Sequence, residues 1–245
     1  MTRRRLDAEL VRRDLARSRQ QASELIAAGR VRVNRMVATK PATQVEDSAP
    51  ITVDAPEREW VSRGAHKLLE PLADFGIDVS GRRALDAGAS TGGFTEVLLE
   101  NGVEKVHAID VGTNQLAWKI RSDPKVISKE NYNARYLEHE HFNVFFDIMV
   151  MDVSFISIKL ILPALQKVMK SGTQLVVLFK PQFEVGKEHV EEGGIVRNQE
   201  IAQSTMNETV QWAEKEIGLS VKGMMPSPIL GTDGNHEYLI HWIKK

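Results

Sequence analysis

"RRALDAGASTGGF", residues 82–94, is the stretch on which the fold turns. An apolar run reaches Asp86, breaks into Gly88, Gly92 and Gly93, and gives way to "FTEVLLE" with helical spacing. A strand that ends in a glycine loop and opens a helix is the ligand-binding turn of a doubly wound α/β sheet. The pattern here is D-x-G-x-x-x-G-G. It is neither the dinucleotide G-x-G-x-x-G nor a Walker A run, and no lysine follows to meet phosphates. Asp110 closes the next apolar run, "HAIDVG", where a carboxylate can accept hydrogen bonds from a ribose diol. A ligand with a ribose and a cationic centre but no phosphate suits this pair of acids. S-adenosylmethionine fits that description better than NAD. Its expected contacts are Asp86, Gly88, Ala89, Ser90, Thr91, Gly92, Gly93, Asp110, Val111 and Asp152.

Outward from this loop the pattern repeats. Strand candidates are "RRALDA", "KVHAID", "KVIS", "FDIMVMDV", "QLVVLFK", "SVKGMMP" and "EYLIHWI", with helical stretches at 65–76, 93–101, 157–170 and 199–217. Strands alternating with helices predict a largely parallel, doubly wound sheet. No internal repeat or low-complexity segment interrupts it.

Four polar residues fall where such a sheet gathers its strand ends. Lys67 precedes the first strand, Asp152 ends "FDIMVMD", Lys180 ends "LVVLFK" ahead of Pro181, and Glu237 precedes "YLIHWI". Burying an ammonium is costly without a partner. Two lysines and two acids from separate segments are therefore expected to meet in one network, which would lower the pKa of one lysine. That chemistry suits removal of a proton from a weakly acidic hydroxyl during methyl transfer. Lys180 is the candidate base, Lys67 disfavours its protonated form, Asp152 orients it, and Glu237 positions Lys67 or the ribose.

The first 40 residues differ from the rest. They hold 11 Lys and Arg against 4 Asp and Glu, a balance of +7, whereas residues 41–245 carry −8. A basic head on an acidic body suggests a polyanion-binding module, although a solvated basic helix has the same composition. Leu6, Leu10, Val11 and Leu15 predict one helix there. Ser18 can cap a second that Gly29 stops, and "VRVN" and "PITV" read as short strands. Arg3, Arg4, Arg5, Arg19, Arg30 and Lys40 are the candidate RNA contacts. The expected boundaries are a head at 1–55, a linker at 56–61 and a body at 62–245.

Other signals are weaker. The chain has no cysteine, which removes disulfides and thiolate chemistry and suits a reducing compartment. No spanning or signal-like apolar run is present, so a cytoplasmic location without membrane contact is expected. His139 and His141 lack further ligand-type neighbours, so no metal is expected. The polar run 181–198 reads as an exposed connection or as a lid over the substrate.

Taken together, these residues carry a resemblance. "RLDAELVRRDLARSRQQASELIAAGRVRVN" resembles the S4 RNA-binding domain. The body resembles ribose 2′-O-methyltransferases of the FtsJ/RrmJ type, whose Lys-Asp-Lys-Glu tetrad matches Lys67, Asp152, Lys180 and Glu237. With "WVSRGAHKL", "LDAGASTGGFTEVLL", "DVSFIS", "KPQFEVGK" and "GNHEY" in order, the whole chain resembles the TlyA family, also called hemolysin A. The resemblance implies a Rossmann-like class I methyltransferase, mostly parallel with an antiparallel last strand, behind a small α+β S4 domain. It also implies S-adenosylmethionine-dependent 2′-O-methylation of cytidine in ribosomal RNA of the small and large subunits, with ribosomal subunits as partners. The sequence does not settle the oligomeric state, and a monomer is expected. Tyr132 departs from the pattern, which has threonine there. A membrane-active hemolysin and a non-catalytic ribosome-assembly factor are the competing classes.

Overall fold

The computed structural model describes residues 3–16, 18–54, 60–231 and 233–245. The chain divides into two compact units, Met1–Glu59 and Trp60–Lys245. Residues 56–59 of the expected linker lie outside the described residues. Trp60 and Val61 belong to the second unit: Trp60 packs on its core, and the Val61 N–H donates to Glu96 Oε2 at 2.7 Å.

In the head, β1 (Arg3–Arg5) pairs antiparallel with β4 (Gln44–Glu46). The strand β2 (Val31–Val33) lies between β3 (Met36–Val37) and β5 (Ile51–Val53). The helices α1 (Leu6–Arg12) and α2 (Arg19–Ala27) bury Leu6, Leu10, Ala22 and Ile26 with Val31 and Val45. Ser18 caps α2 by accepting from Gln21 N at 3.1 Å, which satisfies one of the donors a helix start leaves open. Gly29 follows the helix at φ +70°, the left-handed stop its position predicts.

The body is a seven-stranded sheet. Its strands are β6 (Arg83–Ala87), β7 (Lys105–Ile109), β8 (Val126–Lys129), β9 (Phe146–Met151), β10 (Met169–Phe179), β11 (Leu219–Pro226) and β12 (Tyr238–Lys244). They lie in the order β11-β12-β10-β9-β6-β7-β8. The strands β6 to β10 are parallel, and β12 runs antiparallel to both its neighbours. The order reverses between β6 and β9, which places the switch point at the loops after Ala87 and Met151. The Asp152 N–H donates to Ala87 O at 3.1 Å across it. One side of the sheet carries α3 (Gly64–Asp74) and α4 (Gly93–Glu100), whose Leu68, Leu72, Val97 and Leu98 cover Ala84, Val106 and Val176. The other carries α8 (Gln199–Trp212), with Met206 and Val210 against Leu175, Val177 and Trp242.

Two helical expectations are corrected. The stretch 157–170 is not one helix but a 3-10 turn (Ile158–Leu160), a short α6 (Leu162–Leu165) and a second 3-10 turn (Gln166–Val168). The strand β10 has already begun at Met169. Its ladder with β9 is interrupted between Met169 and Gln174, where Gly172 sits at φ +85°. Thr173 Oγ1 repairs the break by donating to Phe146 O at 2.7 Å and accepting from Lys170 N at 3.0 Å. The stretch 199–217 ends its α-helix at Trp212 and widens into a π turn, Ala213–Ile217, closed by Gly218 at φ +69°. A four-residue α5 (Trp118–Arg121) lies where no element was expected.

Candidate active site

The glycine loop is shaped by close approach. Gly88 has φ +86°, and a Cβ there would lie 2.3 Å from the backbone oxygen of Asp152. Gly93 lets α4 start against α3, since a Cβ would lie 2.8 Å from Ala65 N. The N–H groups of Gly88 and Ala89 both donate to Ile109 O, at 2.9 and 3.1 Å, which ties the loop to the end of β7. Asp110 completes the tie: Oδ2 accepts from Ser90 N at 2.8 Å and Oδ1 from Gly112 N at 2.7 Å. Each carboxylate oxygen keeps a second lone pair, so Asp110 can brace the loop and still accept from a ligand.

Two cavities meet over this loop, sharing Gly88, Ser90, Asp152 and Ser154. The larger, ≈ 430 Å³, is walled by Ile109, Asp110, Val111, Tyr132, Asn133 and Ile156. The smaller, ≈ 280 Å³, reaches Ser62, Arg63, Lys67, Thr91 and Lys180. Their sizes suit a nucleoside-sized ligand with a polar extension.

The electrostatics favour a cationic ligand. Asp86 is wholly buried; Oδ2 accepts from Thr95 Oγ1 at 2.6 Å, and Oδ1 has no partner among the described residues. Burial pushes its carboxyl up to about 7; the Thr95 hydrogen bond opposes this, and the charges of Asp152 and Asp110 add to it. Asp110 lines the larger cavity with no lysine partner among the described residues, and Asp152 is shared with Lys180. Asp86, inside β6, lines neither cavity, so the charge that favours a cation lies at the Asp110 side. S-adenosylmethionine, with its ribose and sulfonium, fits these residues.

Sequence spacing brings Lys67, Asp152, Lys180 and Glu237 to one end of the sheet, and the structure pairs them in twos. Lys180 Nζ lies 2.6 Å from Asp152 Oδ1 and donates to Ser154 Oγ at 2.8 Å. The first contact is a charge contact rather than a directed hydrogen bond, because Oδ1 accepts no well-aligned bond. Lys67 Nζ donates to Glu237 Oε2 at 2.5 Å, and both residues are buried. The register explains the meeting. Phe179 pairs with Tyr238 across β10 and β12, so Lys180 leaves its strand where Glu237 joins the adjacent one. Asp152 leaves β9 on the other side of β10.

Ser154 touches the Lys180 amine and escaped the sequence reading, since no spacing rule marks a loop serine. Tyr132 stands in the wall of the larger cavity, held by a 2.6 Å hydrogen bond between its hydroxyl and His141 Nδ1. His141 is thus engaged in a local turn, and among the described residues no cluster of three metal-ligating side chains occurs. The run 181–198 is fastened at one end: Asn235 Oδ1 accepts from Val196 N at 2.9 Å and its Nδ2 donates to Gly194 O at 2.8 Å.

In the head, the candidate arginines are organised by acids. Buried Asp7 takes Arg5 and Arg19, both at 2.9 Å; Arg3 pairs with Glu46 at 3.1 Å and Arg4 with Asp47. Buried Glu9 takes Arg12 at 2.6 Å and Arg13 at 2.7 Å. The Arg12 and Arg13 hydrogen bonds hold the Glu9 carboxyl down at about 2, and Arg5 and Arg19 hold Asp7 well below the usual carboxylate range. Arg30 donates to Asp54 O at 3.0 Å. The Arg3–Glu46 pair is exposed on both sides and contributes only about 0–1 kcal/mol, so a phosphate can compete for Arg3. Arg5, Arg12, Arg13 and Arg19 instead neutralise buried carboxylates and can meet a phosphate only through the N–H groups they turn to solvent. Charge counting alone missed Asp7 and Glu9 as the residues that set where the guanidinium groups stand.

Comparison with known proteins agrees with this geometry. The FtsJ-like methyltransferase family model matches residues 60–244, and the S4 domain model matches residues 4–51. The 16S/23S rRNA (cytidine-2′-O)-methyltransferase TlyA of Mycobacterium tuberculosis is 51% identical over 98% of this chain and 89% of its own. The chain belongs to the TlyA family of FtsJ-like methyltransferases. Hemolysin A of Brachyspira hyodysenteriae, another relative, is 39% identical over 98% of this chain and 99% of its own. A solved structure of a Streptococcus thermophilus protein described as a hemolysin superposes with a TM-score of 0.75 at 42% identity, covering 100% of this chain and 90% of that one. The TlyA family thus includes proteins named for two activities. No helix among the described residues here is long and apolar enough to cross a membrane.

Proposed function

We propose that this chain methylates the 2′-hydroxyl of a cytidine ribose in ribosomal RNA, with S-adenosylmethionine as methyl donor and the head as the RNA-holding module. The observation that carries the reading is Lys180, held by Asp152 and Ser154 in a cleft that continues into the cavity edged by Asp110 and the glycine loop. When bound, S-adenosylmethionine supplies a methyl group already activated on a sulfonium. The protein's own work is alignment and proton removal. Asp110, braced by the loop amides, fixes the ribose end, and the carboxylates of Asp110 and Asp152 favour the cationic end. Lys180 takes the hydroxyl proton, steered by Asp152 and Ser154. The Lys67–Glu237 pair fixes the opposite wall. A purely RNA-binding protein gives no reason to bury two ammonium–carboxylate pairs beside a nucleoside-sized cavity, which costs stability unless the pairs are used. Methyl transfer to ribosomal subunits, mapped by mass spectrometry with and without the protein, tests the reading; liposome leakage without methylation supports the lytic alternative instead.

Asp110→Ala is expected to weaken S-adenosylhomocysteine binding by roughly 10- to 100-fold, the equivalent of losing one charge-assisted acceptor worth about 1.5–3 kcal/mol. NAD should not bind the parent detectably. Calorimetry that finds mutant and parent equal removes Asp110 from the site.

RNA affinity is expected to fall steeply with salt, because each phosphate contact by the head releases counterions. Deleting residues 1–55 should abolish RNA binding and leave S-adenosylhomocysteine binding in place, since each unit has its own buried core. Filter binding that gives the same RNA affinity with and without the head rules out this assignment.

A further inference from the structure

The four-residue α7 (Pro181–Glu184), directly after Lys180, ends in a carboxylate the proposed reaction does not use. Glu184 Oε2 accepts from Ser157 Oγ at 2.7 Å and Oε1 from Ile158 N at 2.8 Å. Both partners belong to the loop that leaves β9 through Asp152. Glu184 forms no ion pair among the described residues, and burial raises its carboxyl above the usual range, against those two hydrogen bonds and the more distant charge of Lys159. A largely buried carboxylate without a paired cation is expensive. It is retained here while both its oxygens are spent on one loop.

That loop needs holding. Phe155 sits in it at φ +66°, a left-handed conformation that a bulky side chain adopts only when its surroundings impose it. The Phe155 ring is almost fully exposed, at 90%, so no core packing imposes the conformation. Its one aromatic neighbour among the described residues is Phe183, at 5.2 Å between centroids, from the same short helix as Glu184. The Lys180 segment and the Asp152 loop are therefore joined three times in sequence order: Lys180 to Asp152 and Ser154, Phe183 to Phe155, and Glu184 to Ser157 and Ile158.

We infer that Glu184 is a positioning residue, a brace that fixes the Asp152–Ser154 loop against the Lys180 segment and so sets the aim of the Lys180 amine. The inference rests on the methyl-transfer reading above. It assigns Glu184 no contact with cofactor or RNA: its effect passes through Ser157 and Ile158 to the loop, and from the loop to Lys180.

Glu184→Ala and Glu184→Gln in the full chain, assayed with ribosomal subunits and S-adenosylmethionine, test it. Glutamine keeps an oxygen for Ile158 N and an amide that can donate to the Ser157 hydroxyl. Alanine should lower kcat by tenfold or more, with KM for RNA, S-adenosylhomocysteine affinity and Tm near parental values, and glutamine should recover most of the rate. Should the alanine variant fail to fold, Ser157→Ala removes one of the two bonds at little change in volume and should lower kcat in the same selective way. A parental kcat in the alanine or the Ser157→Ala variant overturns the brace while the parent's activity stands. So does a loss spread evenly over kcat, KM and Tm, which marks a merely structural residue. A parent that transfers no methyl group overturns the functional reading first and the brace with it.

Discussion

Lys180→Arg should fold, bind S-adenosylhomocysteine and RNA as the parent does, and lose methyl transfer by roughly 100-fold or more, the scale of general-base effects. The argument is one of charge against basicity. Lys180 contacts Asp152 at 2.6 Å and Ser154 at 2.8 Å, and a guanidinium can satisfy both a carboxylate and a hydroxyl. If the residue served only to hold Asp152 or attract phosphate, arginine would do nearly as well. A guanidinium with a pKa above about 12 cannot give up its proton at working pH to accept another. Single-turnover assays separate chemistry from product release. Near-parental transfer by the arginine variant means that the hydroxyl proton leaves by another route.

The second large effect concerns Gly88. Alanine there would place its Cβ 2.3 Å from the Asp152 carbonyl oxygen and 2.9 Å from its carbon, and backbone cannot swing aside as a side chain can. Gly88 also holds φ +86°, which disfavours any L side chain. Gly76 provides the comparison, with φ +65° and nothing within 4 Å of the same added atom. Gly76→Ala should therefore report the conformational strain alone, on the order of 1–2 kcal/mol. Gly88→Ala should destabilise by at least about 2 kcal/mol, lowering Tm by roughly 4–8 °C, and should lose S-adenosylhomocysteine binding because Asp152 is displaced. Identical melts and parental affinity in both variants would show that the close approach imposes no constraint.

Much of this was legible because strand ends are local features. The alternation of apolar runs with helical stretches placed the seven body strands. A polar residue that stops an apolar run tends to emerge at the end of its strand, as Asp110, Asp152 and Lys180 do, whereas Asp86 stays inside β6 and is wholly buried. What was not legible is who faces whom. The expected roles already set Asp152 beside Lys180 and Glu237 beside Lys67 or the ribose. But spacing cannot tell that the single network expected there divides into two pairs, a division that follows from β12 returning antiparallel beside β10. Ser154 and Glu184 were missed for the same reason, as each matters only through a tertiary partner. The misread helix at 157–170 has a different cause. Its apolar residues Ile158, Ile161, Leu162 and Leu165 are all buried, and burial against a sheet produces helical spacing even where the backbone is a chain of short turns. In the head, a count of charges reported an excess of arginine but not the two buried acids that hold four of those arginines in place.

The position of β12 bears on the order in which this protein can be finished. It is made after β11 yet sits between β11 and β10, and among the described residues it is the only strand that β11 pairs with. While the chain is being synthesised, the parallel strands β6 to β10 can assemble in the order they emerge, but β11 has no partner until residues 238–244 arrive. The same late segment delivers Glu237 to Lys67. Lys67 is then the last of the four polar residues to find its counter-charge. Closing of the sheet and completion of the proposed site arrive in one event, so a nascent chain should transfer no methyl group until β12 has slotted between β10 and β11.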